Sequence, residues 1–309
     1  IICTDKTGTL TRNEMAVRAF YCDGQVYDVS GKGFDPTEGG LCRDGSPLPE
    51  SEMAELKVNK GYKLAMACCL LCQNSNIRKV EDDWRAIGDP TDSACAVFGE
   101  KLHEPVDDFR KRHPRFREFT FDRIRKRKTT IHEYDGQRWV FSKGAIGPYL
   151  SRITHILQDG AIVPIRDEHR NKIGEVNLQL ASQALRIIAL TARPLSGGED
   201  MENVVGVEDG LIFLGLVGIM DPPRPGVGDA IRTCQNAGIR VMMITGDQQM
   251  TALAIGREIG IIQDDSKFVT GRQLKDMSDE ELDEELGSIV MFSRVTPDQK
   301  LRIVSRLQQ

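Results

Sequence analysis

No run of apolar residues in this 309-residue chain approaches the length of a membrane span. The longest stretches, Leu64–Cys72 and Leu211–Met220, reach about half of the ~20 residues that a bilayer-spanning helix requires. No G-x-x-x-x-G-K-[ST] pattern occurs, which excludes a P-loop as the phosphate holder. The chain opens at Ile1 without an initiator Met, a basic n-region or a small-residue cleavage site. The expectation is an excerpt of a longer protein with no secretory signal. The five histidines have no metal-ligand spacing, and the only close cysteine group, Cys68-Cys69-Leu70-Leu71-Cys72, holds a lone C-x-x-C. A zinc site needs a second ligand pair, so this segment reads as a buried helix carrying reduced thiols in a reducing, cytosolic setting.

What is present describes a globular protein. Forty per cent hydrophobic residues, 28% charged residues and a net charge of −5 exclude a disordered, collagenous or disulfide-stapled chain. The length suggests two domains of about 150 residues. Charge is uneven: residues 109–128 carry a net +8, and residues 276–285 a net −7. The acidic run reads as a solvated helix start with Ser278 as N-cap, because acids are favoured in a first helical turn. The basic run points to a phosphate-bearing small molecule. A nucleic-acid partner is not expected, since the overall balance is acidic and no zinc-finger, RNA-recognition or basic-zipper pattern accompanies the run.

Patterning gives a nested organisation. A short strand at Ile1–Cys3 runs into Asp5-Lys6-Thr7-Gly8-Thr9. A middle block follows, with loops over residues 31–49, helices over 52–71 and 91–101, and two strands flanking Tyr134-Asp135-Gly136-Gln137, where Asp-Gly signals a hairpin. A helix over 172–184 leads to strands at 186–191 and 211–219. Asp221-Pro222-Pro223-Arg224-Pro225 then breaks the chain as a stiff hinge. Beyond it, helices alternate with strands at 239–244, 268–270 and 289–292, the signature of a doubly wound parallel sheet. Ligands in such sheets sit beyond the carboxyl ends of strands, where three polar clusters fall: 5–9, 245–247 and 293–300. The first strand is therefore assigned to the C-terminal sheet. The expected fold is α/β, a parallel sheet over 1–13 and 221–309 interrupted by an α+β domain with antiparallel sheet over 14–220.

A carboxylate at a strand end, followed by Lys, Thr and Gly, can attack phosphorus and form an aspartyl-phosphate. Lys6, Thr245 and Lys300 supply positive and hydroxyl donors for the transferred group. Thr7 stands where an acid two residues after the nucleophile would speed hydrolysis, so the phosphoenzyme is expected to persist. Asp5-Lys6-Thr7-Gly8-Thr9-Leu10-Thr11 resembles the phosphorylation signature of P-type ATPases, ion pumps with a haloacid-dehalogenase-like phosphorylation domain. Lys143-Gly144-Ala145, Asp221-Pro222-Pro223-Arg224, Thr245-Gly246-Asp247 and residues 292–297 follow in the family's order.

The resemblance implies ATP and Mg²⁺. It makes Asp5 the phosphorylated residue and places the Asp5 carboxylate and the Thr7 carbonyl on the metal. Thr245, Gly246, Asp247 and Lys300 would hold the phosphoryl group. In the middle block Phe121 would stack on adenine beside Arg123, while Lys126, Lys143 and Gly144 line the same pocket. Arg186 would meet the nucleotide phosphates, with Thr91 and Asp92 nearby and Asp92 near the adenine amino group. Arg224 and Arg294 would act around bound nucleotide at the domain junction. Arg110, Lys111, Arg112, Arg115 and Arg117 are expected at the surface, and the basic patch as a whole is expected to attract ATP.

The continuation after Thr11 and the run 121–130 resemble calcium-type and related cation pumps. The resemblance places a Thr-Gly-Asp-Gly-x-Asn-Asp segment, an actuator domain and membrane helices outside these residues. The fragment alone is thus expected to bind ATP weakly, without transport, and autophosphorylation is not expected of it without that segment. In the full-length protein it would face the cytoplasm and drive a cation through membrane helices. Two alternative readings are a soluble haloacid-dehalogenase-like phosphohydrolase and a module that only binds nucleotide.

Overall fold

A computed structural model describes every residue except 32, 159 and 309. The chain forms two compact units, one of residues 1–14, 182–184 and 221 onward, the other of residues 15–181 and 185–220.

The first unit is built on a four-stranded parallel sheet in the order Ile2–Thr4, Val241–Ile244, Ile289–Ser293, Lys267–Thr270. Met242, Ile244, Phe292 and Val269 carry its core against Leu274, Leu282 and Ile303 of the flanking helices. The acidic run is the helix Asp279–Leu286, where the Ser278 side chain accepts from Glu281 N–H and Glu281 reaches back to the Ser278 N–H. This reciprocal cap satisfies two otherwise orphaned donors and aligns negative charge with the helix dipole.

The second unit is built on an eleven-stranded sheet. From one edge it runs Arg115–Asp122, Arg127–Tyr134, Gln137–Gly144, Arg186–Pro194, Leu211–Met220, Ala16–Cys22, Gln25–Val29, Leu41–Arg43 and Ser46–Pro47, every neighbouring pair antiparallel. Ile153–Gln158 adds one parallel pairing, beside Leu211–Met220. The hairpin expected at 134–137 forms, with Asp135 and Gly136 both at positive φ as a type I′ turn requires. Side-chain alternation splits the core between the two faces. Trp139, Phe141, Leu190 and Val217 pack against the buried residues of Lys60–Leu71 and Pro90–Leu102, whereas Val140, Ala189 and Leu216 pack against Ile173, Val176 and Leu180 of Asp167–Ser182.

Three expectations need correction. The single helix over 52–71 is two, Glu50–Val58 and Lys60–Leu71, because Asn59 is extended and its side chain accepts from the Gly61 and Tyr62 N–H groups, capping a new helix. The loop region 31–49 contains the short strands Leu41–Arg43 and Ser46–Pro47, too brief for a periodic signal. The helix expected over 172–184 is Asp167–Ser182; it starts earlier and stops before Ala184, whose φ of 62° is left-handed. The thiol segment behaves as read: Cys68, Cys69 and Cys72 are buried, and every cysteine is free.

Candidate functional site

Two sites emerge, one in each unit. In the second unit a cleft of about 790 Å³ opens along the strands Arg115–Asp122, Arg127–Tyr134, Gln137–Gly144 and Arg186–Pro194. Thr91, Asp92, Phe121, Arg123, Lys126, Lys143, Gly144 and Arg186, eight of the ten residues expected to bind nucleotide, all line it.

Sequence dictates how each is presented. Asp89 caps the helix Pro90–Leu102, its carboxylate accepting from the Thr91 and Asp92 N–H groups, and Pro90 opens that helix. Thr91 and Asp92 therefore sit in the first turn facing the cleft, and Arg186 reaches the Thr91 hydroxyl at 3.5 Å. The turn after Phe121 is tied by Asp122, which accepts from Ile124 and Arg125 N–H. Lys126 takes φ 53°, and its carbonyl accepts from Ala145 N–H over Gly144. A Cβ at Gly144 would lie 2.3 Å from that carbonyl oxygen, so only glycine permits this approach. The turn leaves Phe121 60% exposed, which removes it from the core and offers its face as a stacking surface.

Asp92 is the electrostatic centre. Its Oδ1 lies 2.8 Å from Lys143 Nζ and its Oδ2 2.9 Å from Lys128 Nζ, and the Asn74 N–H donates to Oδ2 at 3.0 Å. Burial would raise the Asp92 carboxyl, but Lys143 and Lys128 outweigh it and hold it below the ordinary value. Burial likewise disfavours the Lys143 ammonium, yet Cys95 and Asp92 hold its pKa above the ordinary lysine value. Lys128 also pairs with Glu118 at 3.1 Å. Asn74, Glu118 and Lys128 line the cleft but were not singled out in the sequence. Lys128 lay within the basic run, and only the strand register, which sets it directly opposite Lys143, distinguishes it.

Much of the basic run is consumed by the fold. Arg110 and Arg115, expected at the surface, are half-buried and donate to Gln73 O, and Arg115 also to Leu71 O, so they satisfy carbonyls at the C-terminal end of Lys60–Leu71. Arg125 and Arg127 both engage buried Glu208, Arg127 Nε at 2.6 Å. Lys111, Arg112 and Arg117 remain exposed, paired with Asp108, Glu104 and Glu202. The net +8 therefore does not act as one attracting patch; Arg123 and Lys126 are its exposed cleft residues.

In the first unit, the polar clusters at the ends of three parallel strands converge. Asp5 follows Ile2–Thr4, and its Oδ2 lies 2.5 Å from Lys300 Nζ. Lys6 is buried and pairs with Asp247 at 2.5 Å, and the Thr7 hydroxyl donates to the same Asp247 oxygen at 3.2 Å. The Thr245 hydroxyl is buried and accepts from Asp247 N–H, while Arg294 N–H donates to Asp247 O and Val295 N–H to Thr245 O. Gly246 is exposed beside them. The chain reverses through Gly8, φ 77°. Arg224 pins this turn, donating to Gly8 O at 2.8 Å and Thr11 O at 3.1 Å, and Asp221 lies 2.5 Å from the Thr11 hydroxyl. Arg224 and Arg294 thus belong to this unit and do not line the nucleotide-sized cleft; Arg294, at φ 53°, borders a separate 480 Å³ recess with Arg272.

Asp5 and the carbonyl of Thr7 are hard oxygen donors that suit Mg²⁺, which takes one or two carboxylates and keeps water and phosphate ligands. Among the described residues no three His, Cys, Asp or Glu side chains converge into an all-protein cage. Among them, too, no helix is long and apolar enough to cross a membrane.

The chain is 36% identical to a calcium-transporting ATPase of Bacillus subtilis (strain 168), 35% to the cation-transporting ATPase pma1 of Synechocystis sp. and 33% to calcium-transporting ATPase type 2C member 2 of Homo sapiens. Each match covers 100% of this chain but 34%, 34% and 31% of the relative, so the chain spans about a third of the length of these proteins. Residues 61–226 match the family model described as P-type ATPase, cytoplasmic domain N. With more than half its residues matched by that model, the chain belongs to the P-type ATPase family.

Proposed function

We propose that these residues are the cytosolic catalytic portion of a cation-transporting P-type ATPase, working at the cytoplasmic face of a membrane. Residues 14–220 bind ATP, and residues 1–13 and 221–309 carry the phosphorylated aspartate. The observation that carries this reading is the meeting of Asp5, Asp247 and Lys300, up to 295 positions apart in sequence, at the carboxyl ends of parallel strands. Actuator and membrane domains of the same protein complete the pump.

In the cleft, Phe121 stacks on adenine beside Arg123, Asp92 faces its amino edge, Arg186 meets the phosphates, and Lys126 and Lys143 line the same pocket. In the transfer step an Asp5 oxygen attacks the γ-phosphorus. An O–P bond forms as the bond to the β,γ-bridging oxygen breaks, and ADP leaves with the electron pair. Lys300 hands its ion pair from Asp5 to the phosphoryl oxygens, and Thr245, Gly246 and Asp247 hold them. Mg²⁺, when bound by Asp5 and the Thr7 carbonyl, neutralises phosphate charge. Thr7 cannot serve as a general base toward water, so the acyl phosphate persists long enough to drive a conformational cycle. Arg224, by pinning Gly8 and Thr11, positions the Thr7 carbonyl.

The names of the relatives support calcium as the transported ion. Full-length protein acid-quenched after treatment with γ-labelled ATP and Mg²⁺ is expected to carry hydroxylamine-labile label that Asp5→Asn abolishes. Label that survives this substitution sinks the assignment. Ion-stimulated ATP hydrolysis by the full-length protein, strongest with calcium, tests the ion; stimulation by another cation alone reassigns it.

A further inference from the structure

A buried carboxylate behind the cleft gathers the charges of the turn that shapes it. Arg127 and Thr129 reach Glu208, whereas Lys128 between them lines the cleft, so strand alternation puts Glu208 on the opposite face of the sheet. The Glu208 side chain is only 1% exposed. Its Oε2 accepts from Arg127 Nε at 2.6 Å, and its Oε1 accepts from the Thr129 hydroxyl at 2.7 Å and from Arg125. Arg125 carries this hold into the turn, because its second terminal nitrogen donates to Thr120 O at 2.8 Å, next to Phe121. Arg127 adds another tie, donating to Arg125 O at 3.3 Å. Between the two arginines stands Lys126 at φ 53°, a left-handed backbone that a lysine keeps only where its surroundings over-determine it. Asp122 fastens the start of the turn at the Ile124 and Arg125 N–H groups, and Glu208 fastens its end.

We propose that Glu208 is a positioning residue for nucleotide binding, which holds Phe121, Arg123 and Lys126 toward the cleft through Arg125 and Arg127. The inference rests on the nucleotide reading above. Positioning and a simple field effect have opposite signs here. A carboxylate acting only through its charge repels a polyphosphate, so neutralising Glu208 would tighten ATP. A carboxylate that holds the turn does the reverse, and neutralising it loosens ATP.

ATP titrations of the chain, paired with chemical denaturation, separate these outcomes. Glu208→Gln is expected to weaken ATP about tenfold. Arg125→Lys keeps the charge but loses the fork that spans Glu208 and Thr120 O, and it is expected to weaken ATP about threefold. The double variant is expected to lose no more than Glu208→Gln alone, because Arg125 acts through Glu208. Tighter ATP binding in Glu208→Gln overturns the inference by reducing Glu208 to a distant charge. A lowered denaturation midpoint with unchanged ATP affinity overturns it as well, by leaving Glu208 a purely structural ion. Glu208→Gln leaves buried Arg127 short of a counter-charge. Should that variant not fold, Arg125→Lys decides, and ATP affinity there equal to that of the unsubstituted chain overturns the inference. Absence of ATP binding to the unsubstituted chain overturns the nucleotide reading and this inference with it; ATP bound equally by the unsubstituted chain and both single variants overturns the inference alone.

Discussion

The two units handle charge in opposite ways. In the second, the ions at the cleft are sealed in: Asp92, Lys128 and Lys143 side chains are 10%, 9% and 3% exposed, and each is spoken for by a fold partner. In the first, Asp5 and Lys300 make a short ion pair while remaining 42% and 33% exposed. A buried pair is held at high desolvation cost and resists rearrangement, whereas an exposed pair is worth little and exchanges readily. The first arrangement suits a rigid receptor. The second suits a reaction in which Lys300 must leave one anion for another.

Breaking the sealed cluster should cost most. Asp92→Ala leaves two opposed ammoniums without their bridge, and chemical denaturation of the chain should show a loss of about 3–5 kcal/mol. A loss near zero would mean that the cluster is solvated and the contrast false. A second buried group adds a pH signature in the same unit. Burial holds His132 down to about 4, with its Nδ1 against His113 O. Its folded pKa lies below the unfolded one, so its contribution is complete above about 6.5 and declines as pH falls toward 4. On the order of 3 kcal/mol is at stake across that window, and His132→Gln should flatten the dependence, as thermal melts over pH would reveal. Gly144→Ala, which forces a Cβ onto Lys126 O, should cost about 1–3 kcal/mol and displace the Arg123–Lys126 turn from the cleft. Lys300→Ala, by contrast, should change stability by less than about 1 kcal/mol, because its pair with Asp5 is open to water.

This contrast also separates what could be read in the sequence from what could not. Asp5, Thr245–Asp247 and Lys300 were legible because a parallel sheet delivers strand ends to one side, whatever the intervening chain does. The hairpin at Asp135-Gly136 was legible because left-handed backbone at both positions has few residue solutions. The break at Asn59 was not, because one capping side chain decides it within an apolar-rich segment. Neither were the separate fates of the basic residues. Arg115 and Arg123 look alike in a run of cations, and only tertiary partners make the first a helix cap and leave the second at the cleft. Glu208, distant in sequence, absorbs Arg125 and Arg127, which no local pattern announces.

The division of labour between a binding cleft and a reacting aspartate is tested most directly by ATP titration of three chains. Phe121→Ala should weaken ATP about tenfold through lost stacking, and Asp5→Asn should leave affinity within about twofold of the unsubstituted chain. Undiminished binding in Phe121→Ala, or binding lost in Asp5→Asn, would contradict the account by moving nucleotide recognition out of the cleft.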